Sequence, residues 1–134
     1  MTQLVIPSAT ITSIPVLGTD KLFPVRRVYC IGRNYADHVI EMGNDTKESP
    51  IFFQKNTSNV DTSGKFPYPP QSNDVHHELE LVVALKSGGS NILEANAYSH
   101  IYGFAVGLDM TRRDLQAVAK KEGKPWEVGK AFEH

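Results

Sequence analysis

A single cysteine, Cys30, stands in a chain of 134 residues. One thiol excludes an intrachain disulfide framework and fits a reducing compartment. Net charge is nearly absent too: 14 Lys and Arg against 15 Asp and Glu leave a formal -1. So weak a field points to neither nucleic acid nor an anionic membrane as a partner. Long apolar runs are missing, and a bilayer span needs about 20 such residues. The N-terminus lacks the basic and apolar regions of a secretory leader, which makes the cytoplasm the expected location. Internal repeats and low-complexity segments are also missing. What remains is an ordinary globular composition, 40% hydrophobic and 22% charged. At this length one domain with a small-molecule partner is expected.

The first 24 residues read as an extended N-terminal segment, with pieces at Leu4-Val5-Ile6 and Thr10–Leu17 broken by Pro7, Pro15 and Gly18. Residues 25–134 read as the functional domain. Within it β-branched and aromatic residues predict strands over Arg26–Gly32, Pro50–Lys55, 77–86 and Tyr102–Met110. Short helices are expected over Asn34–Gly43, between a possible N-cap and a glycine stop, and over Ile92–Ile101. A third, over 112–121, is predicted from Thr111 as N-cap with Asp114 in its first turn, ending near Gly123. Residues 56–76, rich in Ser, Asn, Asp and Pro, read as a long irregular loop, and 124–134 as loop. The two glycines of the last strand, Gly103 and Gly107, suggest a bulge or a close backbone approach.

The segment Val75–Leu85 carries the main chemical signal. Strand side chains alternate faces with a rise of roughly 3.3 Å per residue, so Glu78 and Glu80 project side by side. Two carboxylates in an apolar run repel each other and need a positive partner or a metal. Asp109 at the end of another strand adds a third acid. Such a set suits a hard divalent cation such as Mg²⁺ or Mn²⁺. It equally suits the solvated face of an edge strand, although Val82 and Ala84 on that same face are apolar. His76 and His77 point to opposite faces, and without nearby cysteine or H-x-x-x-H spacing they do not make a zinc site.

Other candidates are weaker alone. His38 and Glu41, three apart on the expected helix, could form a general base with its orienting carboxylate, or an ordinary surface pair. Lys130, Arg113, Gln116 and Lys55 could bind an anionic substrate, because guanidinium and ammonium groups match carboxylates. Each could also be plain surface. Cys30 reads as packing rather than as a nucleophile.

In series, Gly32-Arg33-Asn34-Tyr35 with His38 and Glu41, His77-Glu78-Leu79-Glu80, and Gly107–Asp114 resemble the fumarylacetoacetate hydrolase family. The segments Lys124-Pro125-Trp126 and Gly129–Phe132 are most similar to its acylpyruvate and fumarylpyruvate hydrolase branch. The resemblance implies an α+β fold, a mixed β-rich core with short peripheral helices, and a homodimer binding a small oxo-acid. It implies a Mg²⁺ or Mn²⁺ site at Glu78, Glu80 and Asp109, and a water-activating dyad of His38 and Glu41. Lys130 would stabilise developing negative charge, with Arg113, Gln116 and Lys55 at the substrate. Members of the family continue into further strands and a T-G-T-P loop, so the chain is expected to be the N-terminal part of the domain. The implied reaction is metal-dependent hydrolysis of a carbon–carbon bond in an acylpyruvate, with fumarylpyruvate favoured. Alternatives are oxaloacetate decarboxylation or an isomerase or decarboxylase step on an oxo-dicarboxylate, and a non-catalytic fragment that only associates with partner chains.

Overall fold

Short runs of β-branched and aromatic residues between prolines and glycines give short strands. The computed structural model of the chain describes residues 3–32, 34, 35 and 49–133. In chain order its strands are β1 (Ser13–Pro15), β2 (Leu22–Pro24), β3 (Val28–Gly32), β4 (Ile51–Lys55), β5 (Val75–His76), β6 (Leu79–Leu85), β7 (Ile101–Leu108) and β8 (Thr111–Arg112). Helices α1 (Arg113–Lys121) and α2 (Glu127–Lys130) follow. Antiparallel ladders join β1 to β2, β3 to β4, β5 to β8 and β6 to β7. The strand-rich α+β class with short helices is therefore the one observed.

The strands expected at 26–32, 50–55, 77–86 and 102–110 are present with slightly shifted ends. In β6–β7 the register jumps from Ala84↔Gly103 to Leu85↔Ile101, a bulge beside the first of the two strand glycines. Leu4-Val5-Ile6 forms no strand. The N-terminal segment instead contributes the β1–β2 hairpin, whose Phe23 ring lies 5.3 Å from that of Tyr102 in β7. The helix expected at 34–43 lies almost wholly outside the described residues.

Other expectations need correction. The stretch at 92–101 is a 3₁₀ helix over Glu94–His100, without a side-chain cap. So short a segment repays α-helix nucleation poorly, and Ser99 Oγ donates back to Asn96 O at 2.7 Å, a local bond that competes with helix. The loop at 56–76 holds a 3₁₀ turn at Thr57–Asn59 and ends in β5. Residues 124–134 are not all loop, because α2 forms one turn there. Thr111 does not cap α1: it belongs to β8, and the N-cap is Arg112, with no side-chain capping bond. Asp114 instead accepts from Ser72 Oγ at 2.7 Å and from the Asn73 N–H at 2.9 Å. It thereby ties the end of the long loop to α1.

The end of α1 follows the expected rule. Gly123 has φ +64°, its N–H donates to Lys120 O, and the Lys124 N–H donates to Ala119 O at 2.8 Å. This is a Schellman stop, for which glycine is the favoured residue. It turns the chain so that α2 lies on α1. Gly129 permits the contact: a Cβ there would sit 3.0 Å from Gln116 Cβ and from Gln116 N.

Burial is distributed unusually. Among the described residues, the buried apolar side chains are Pro69, Ala119 and Phe132, while Ser72, Asp109, Thr111, Gln116 and Lys130 are buried and polar. Leu79, Leu81, Val83 and Leu85 of β6 and Phe104, Val106 and Leu108 of β7 are exposed. The chain exposes 10913 Å² at a mass of 14.9 kDa. A folded monomer of that mass exposes roughly 7,000 Å². The best-protected part of the chain is thus a polar cluster.

Candidate active site

The cluster begins just beyond the ends of β6 and β7. The Glu78 N–H donates to Asp109 O at 3.1 Å, and the Asp109 N–H donates to Glu78 O at 2.8 Å. The two acids are therefore a directly opposed, hydrogen-bonded ladder pair, with their side chains on one face. Like charges placed so are destabilising unless a cation intervenes.

Lys130 is that cation. The Trp126 ring, 5.8 Å from Phe53 of β4, and the Gly129 contact with Gln116 seat α2 so that Lys130 enters the cluster. Its Nζ donates to Glu78 Oε2 at 2.8 Å, Asp109 Oδ2 at 2.9 Å and Thr111 Oγ1 at 2.7 Å. Three acceptors match the three protons of an ammonium. The Phe53 ring centroid lies 5.3 Å from Nζ, and Lys130 is only 2% exposed.

Two further cations flank the acids. Lys55, at the end of β4, donates to the carbonyls of Met110 and Lys130 and places its Nζ 2.8 Å from Asp109 Oδ1. That contact is an ion pair, and among the described residues no hydrogen bond reaches the buried Asp109 Oδ1. Arg113, at the start of α1, bonds Glu78 Oε1 through one nitrogen and Gln116 Oε1 at 2.8 Å through another. Gln116 is itself buried, so it fixes the guanidinium.

The charges tune one another. Burial works against ionisation of Glu78, yet the Lys130 and Arg113 contacts outweigh it and hold its carboxyl below the usual glutamate value. Glu80 is shifted the other way. Burial and then the Glu78 charge push its carboxyl up, against a hydrogen bond from Tyr35. Among the described residues Glu80 has no ion pair. Burial, with the Asp109 charge next, raises the Cys30 thiol to about 11, which keeps it protonated at neutral pH, as expected of a packing residue.

Of the residues singled out from sequence, Glu78, Asp109, Lys130, Lys55, Arg113 and Gln116 form one connected network. Glu80 stands beside it, coupled through charge alone. His38 and Glu41 lie outside the described residues. His76 pairs with Asp74 at the surface, Nε2 to Oδ1 2.9 Å. Thr111 was missed as a site residue: it is fully buried, accepts from Lys130 and donates to Asp109 O at 3.3 Å. Its place directly after the Asp109-Met110 pair is the signal in the sequence that points to it.

The donor set fits a hard cation. Glu78, Glu80 and Asp109 offer carboxylate oxygens only, and the buried Asp109 Oδ1 has the Lys55 ion pair but no hydrogen bond among the described residues. As the side chains stand, no three acidic, histidine or cysteine groups among the described residues converge in metal-holding geometry. Glu78 and Asp109 each give one oxygen to the Lys130 ammonium.

Residues 27–134 match the family model described as fumarylacetoacetate (FAA) hydrolase C-terminal. Among solved structures, the chain is similar to fumarylpyruvate hydrolase from Pseudomonas aeruginosa, determined in complex with Mn²⁺ and pyruvate. The identity is 45% and the TM-score 0.93, covering 98% of this chain and 59% of that one. Among curated proteins, it is 38% identical to the mitochondrial oxaloacetate decarboxylase of Dictyostelium discoideum over 81% of this chain and 50% of the relative. It is 40% identical to oxaloacetate tautomerase YcgM of Escherichia coli (strain K12) over 84% of this chain and 52% of the relative. The chain thus spans about half the length of these curated relatives.

Proposed function

The chain belongs to the fumarylacetoacetate hydrolase family, and on that premise we propose that it supplies the charged part of an active site for a small oxo-dicarboxylic acid. Oxaloacetate is the preferred substrate, and tautomerisation or decarboxylation through its enol the preferred reaction. The carrying observation is Lys130 held between Glu78 and Asp109 with Arg113 and Lys55 on either side. Three cations around two acids make a site suited to an anionic substrate on which enolate charge develops. The curated relatives named for oxaloacetate chemistry support this choice.

Glu78, Glu80 and Asp109 would hold Mg²⁺ or Mn²⁺, which when bound polarises a substrate carbonyl as a Lewis acid. Arg113, oriented by Gln116, would anchor a substrate carboxylate, since a guanidinium matches that group in two-point geometry. Lys130 would stabilise negative charge developing on the substrate oxygen, and Lys55 would keep the network cationic. A homodimer belongs to the same reading and is supported by the bare apolar face of β6–β7.

A second reading, hydrolysis of fumarylpyruvate, is favoured by the 45% identity to fumarylpyruvate hydrolase. It needs a base for water, the role given above to His38 with Glu41. Assays with Mn²⁺ on both substrates separate the two. The expected outcome is loss of the oxaloacetate enol signal, or release of pyruvate, that survives His38→Ala and falls to background in Glu80→Ala. Faster cleavage of fumarylpyruvate, abolished by His38→Ala, would favour the hydrolase. Full activity in Glu80→Ala would refute the metal assignment. Titration of Mn²⁺ with oxalate tests the non-catalytic alternative, which expects no saturable binding.

A further inference from the structure

Residues 72–78 lie antiparallel along 109–114, like the two sides of a zipper. At one end Glu78 and Asp109 exchange backbone hydrogen bonds, and His76 and Val75 of β5 then pair with Thr111 and Arg112 of β8. The Arg113 N–H donates to Asp74 O at 2.7 Å, which carries the ladder onto the first residue of α1. Side chains close the far end. Asp114 accepts from Ser72 Oγ at 2.7 Å through Oδ1 and from the Asn73 N–H at 2.9 Å through Oδ2. We propose that Ser72 and Asp114 are positioning residues, a clasp that holds the start of α1 so that the Arg113 guanidinium stands where a substrate carboxylate binds. The inference rests on the reading of Arg113 as the anchor of that carboxylate.

The clasp acts one residue away from the group it serves. Arg113 is tied to Asp74 by its backbone, while its side chain reaches across to Glu78 and back to Gln116. The helix has no side-chain N-cap, so the bonds to 72–74 are what join its first turn to the loop among the described residues. Gln71, directly before Ser72, has φ +63°, a left-handed conformation uncommon outside glycine, and this turn delivers Ser72 to Asp114. Ser72 is 7% exposed, which shields its hydroxyl from competing water. The Ser72 hydroxyl and the Asn73 N–H hold the Asp114 carboxyl below its ordinary value, so it is charged at neutral pH and both bonds are charge-assisted. Misplacing a group that orients substrate by 1 Å costs about a hundredfold in rate, so a slight loosening here is measurable.

Ser72→Ala removes one donor and leaves every charge in place, and Asp114→Asn removes the charge at nearly constant size. Oxaloacetate turnover with Mn²⁺ is measured for wild type, both variants, Arg113→Gln and the double variant Ser72→Ala, Arg113→Gln. Amide hydrogen exchange is followed at Arg113 and at Lys124, whose N–H bond closes the other end of α1. The expected result is about tenfold higher KM in both clasp variants, with kcat within about twofold of wild type and recovery in Ser72→Thr, which keeps the hydroxyl. The Arg113 amide should exchange about tenfold faster in Ser72→Ala, with Lys124 unchanged. The double variant should match Arg113→Gln alone, because the clasp works through Arg113. Wild-type KM in the clasp variants, with a raised KM in Arg113→Gln, overturns the positioning role and leaves the anchor reading intact. Single-variant effects that multiply in the double variant overturn it too, as does equally faster exchange at Arg113 and Lys124, which marks a loss of stability at large. Unchanged KM in Arg113→Gln, or no turnover by wild type, overturns the anchor reading and the positioning role with it.

Discussion

The two ends of the β6–β7 hairpin obey opposite rules. At one end Glu78 and Asp109, a repelling pair, are buried or half-buried and held by Lys130, Lys55 and Arg113. Along the rest of the hairpin, Leu81, Val83, Phe104 and Val106 are favourable core residues left bare. The difference teaches that the polar cluster is the self-sufficient part of this chain, while its apolar sheet is a surface still to be covered.

The largest effect that would break this comparison is at the charged end. Asp109→Ala leaves the nearly buried Lys130 and Lys55 with a lost partner, and removing one member of a buried pair costs about 3–5 kcal/mol. Leu81→Ala on the bare face should cost about 0.5 kcal/mol or less, as exposed substitutions do, at concentrations low enough to keep the chain monomeric. Urea unfolding of both variants measures the contrast, and equal losses would erase it.

Next in size is association. A bare face of this kind drives self-assembly, so sedimentation should show the chain as a dimer or larger species. Leu81 and Val106 are ladder partners, and the double variant Leu81→Lys, Val106→Lys puts two like charges at its centre. A shift to monomer is expected; an unchanged sedimentation coefficient would show that this face is not the interface.

The smallest effect lies within the charged end, in the opposite shifts of Glu78 and Glu80. Glu78, held below its ordinary 4.5, contributes stability that is present above pH 4.5 and lost as pH falls through its lowered value. Glu80, raised above 4.5, binds more protons folded than unfolded, so stability falls as pH rises from 4.5 through its raised value. In metal-free buffer at neutral pH, Glu80→Gln should therefore be slightly stabilising and Glu78→Gln destabilising. Melting curves between pH 4 and 8 check both signs.

Much of this arrangement was legible in the residues. Alternation put Glu78 and Glu80 on one face, and Asp109 at a strand end followed from the apolar run before it. Six of the seven candidate residues that lie among the described residues meet in one network, because charged groups with few apolar alternatives gather where they neutralise each other. Pairing was not legible: that Glu78 faces Asp109 depends on the β6–β7 register, a tertiary fact. Thr111 carries the local signature of a helix cap, yet it pairs with His76 across β5–β8 and its hydroxyl accepts from Lys130. The four-residue α2 left no periodic signal, since one turn is too short to show one. Its position depends on Gly129 against Gln116, a contact visible only after folding.

The spacing of the cluster along the chain has a further consequence, in time rather than in energy. Lys130 reaches Glu78 across 52 residues and bonds with Lys55 across 75. Closing loops of that length is entropically costlier than zipping β6 to β7, and contacts so distant in sequence form slowly. The hairpin therefore brings its two acids together before α2 delivers the ammonium. A charge arrangement that steadies the finished fold acts during folding as a delay.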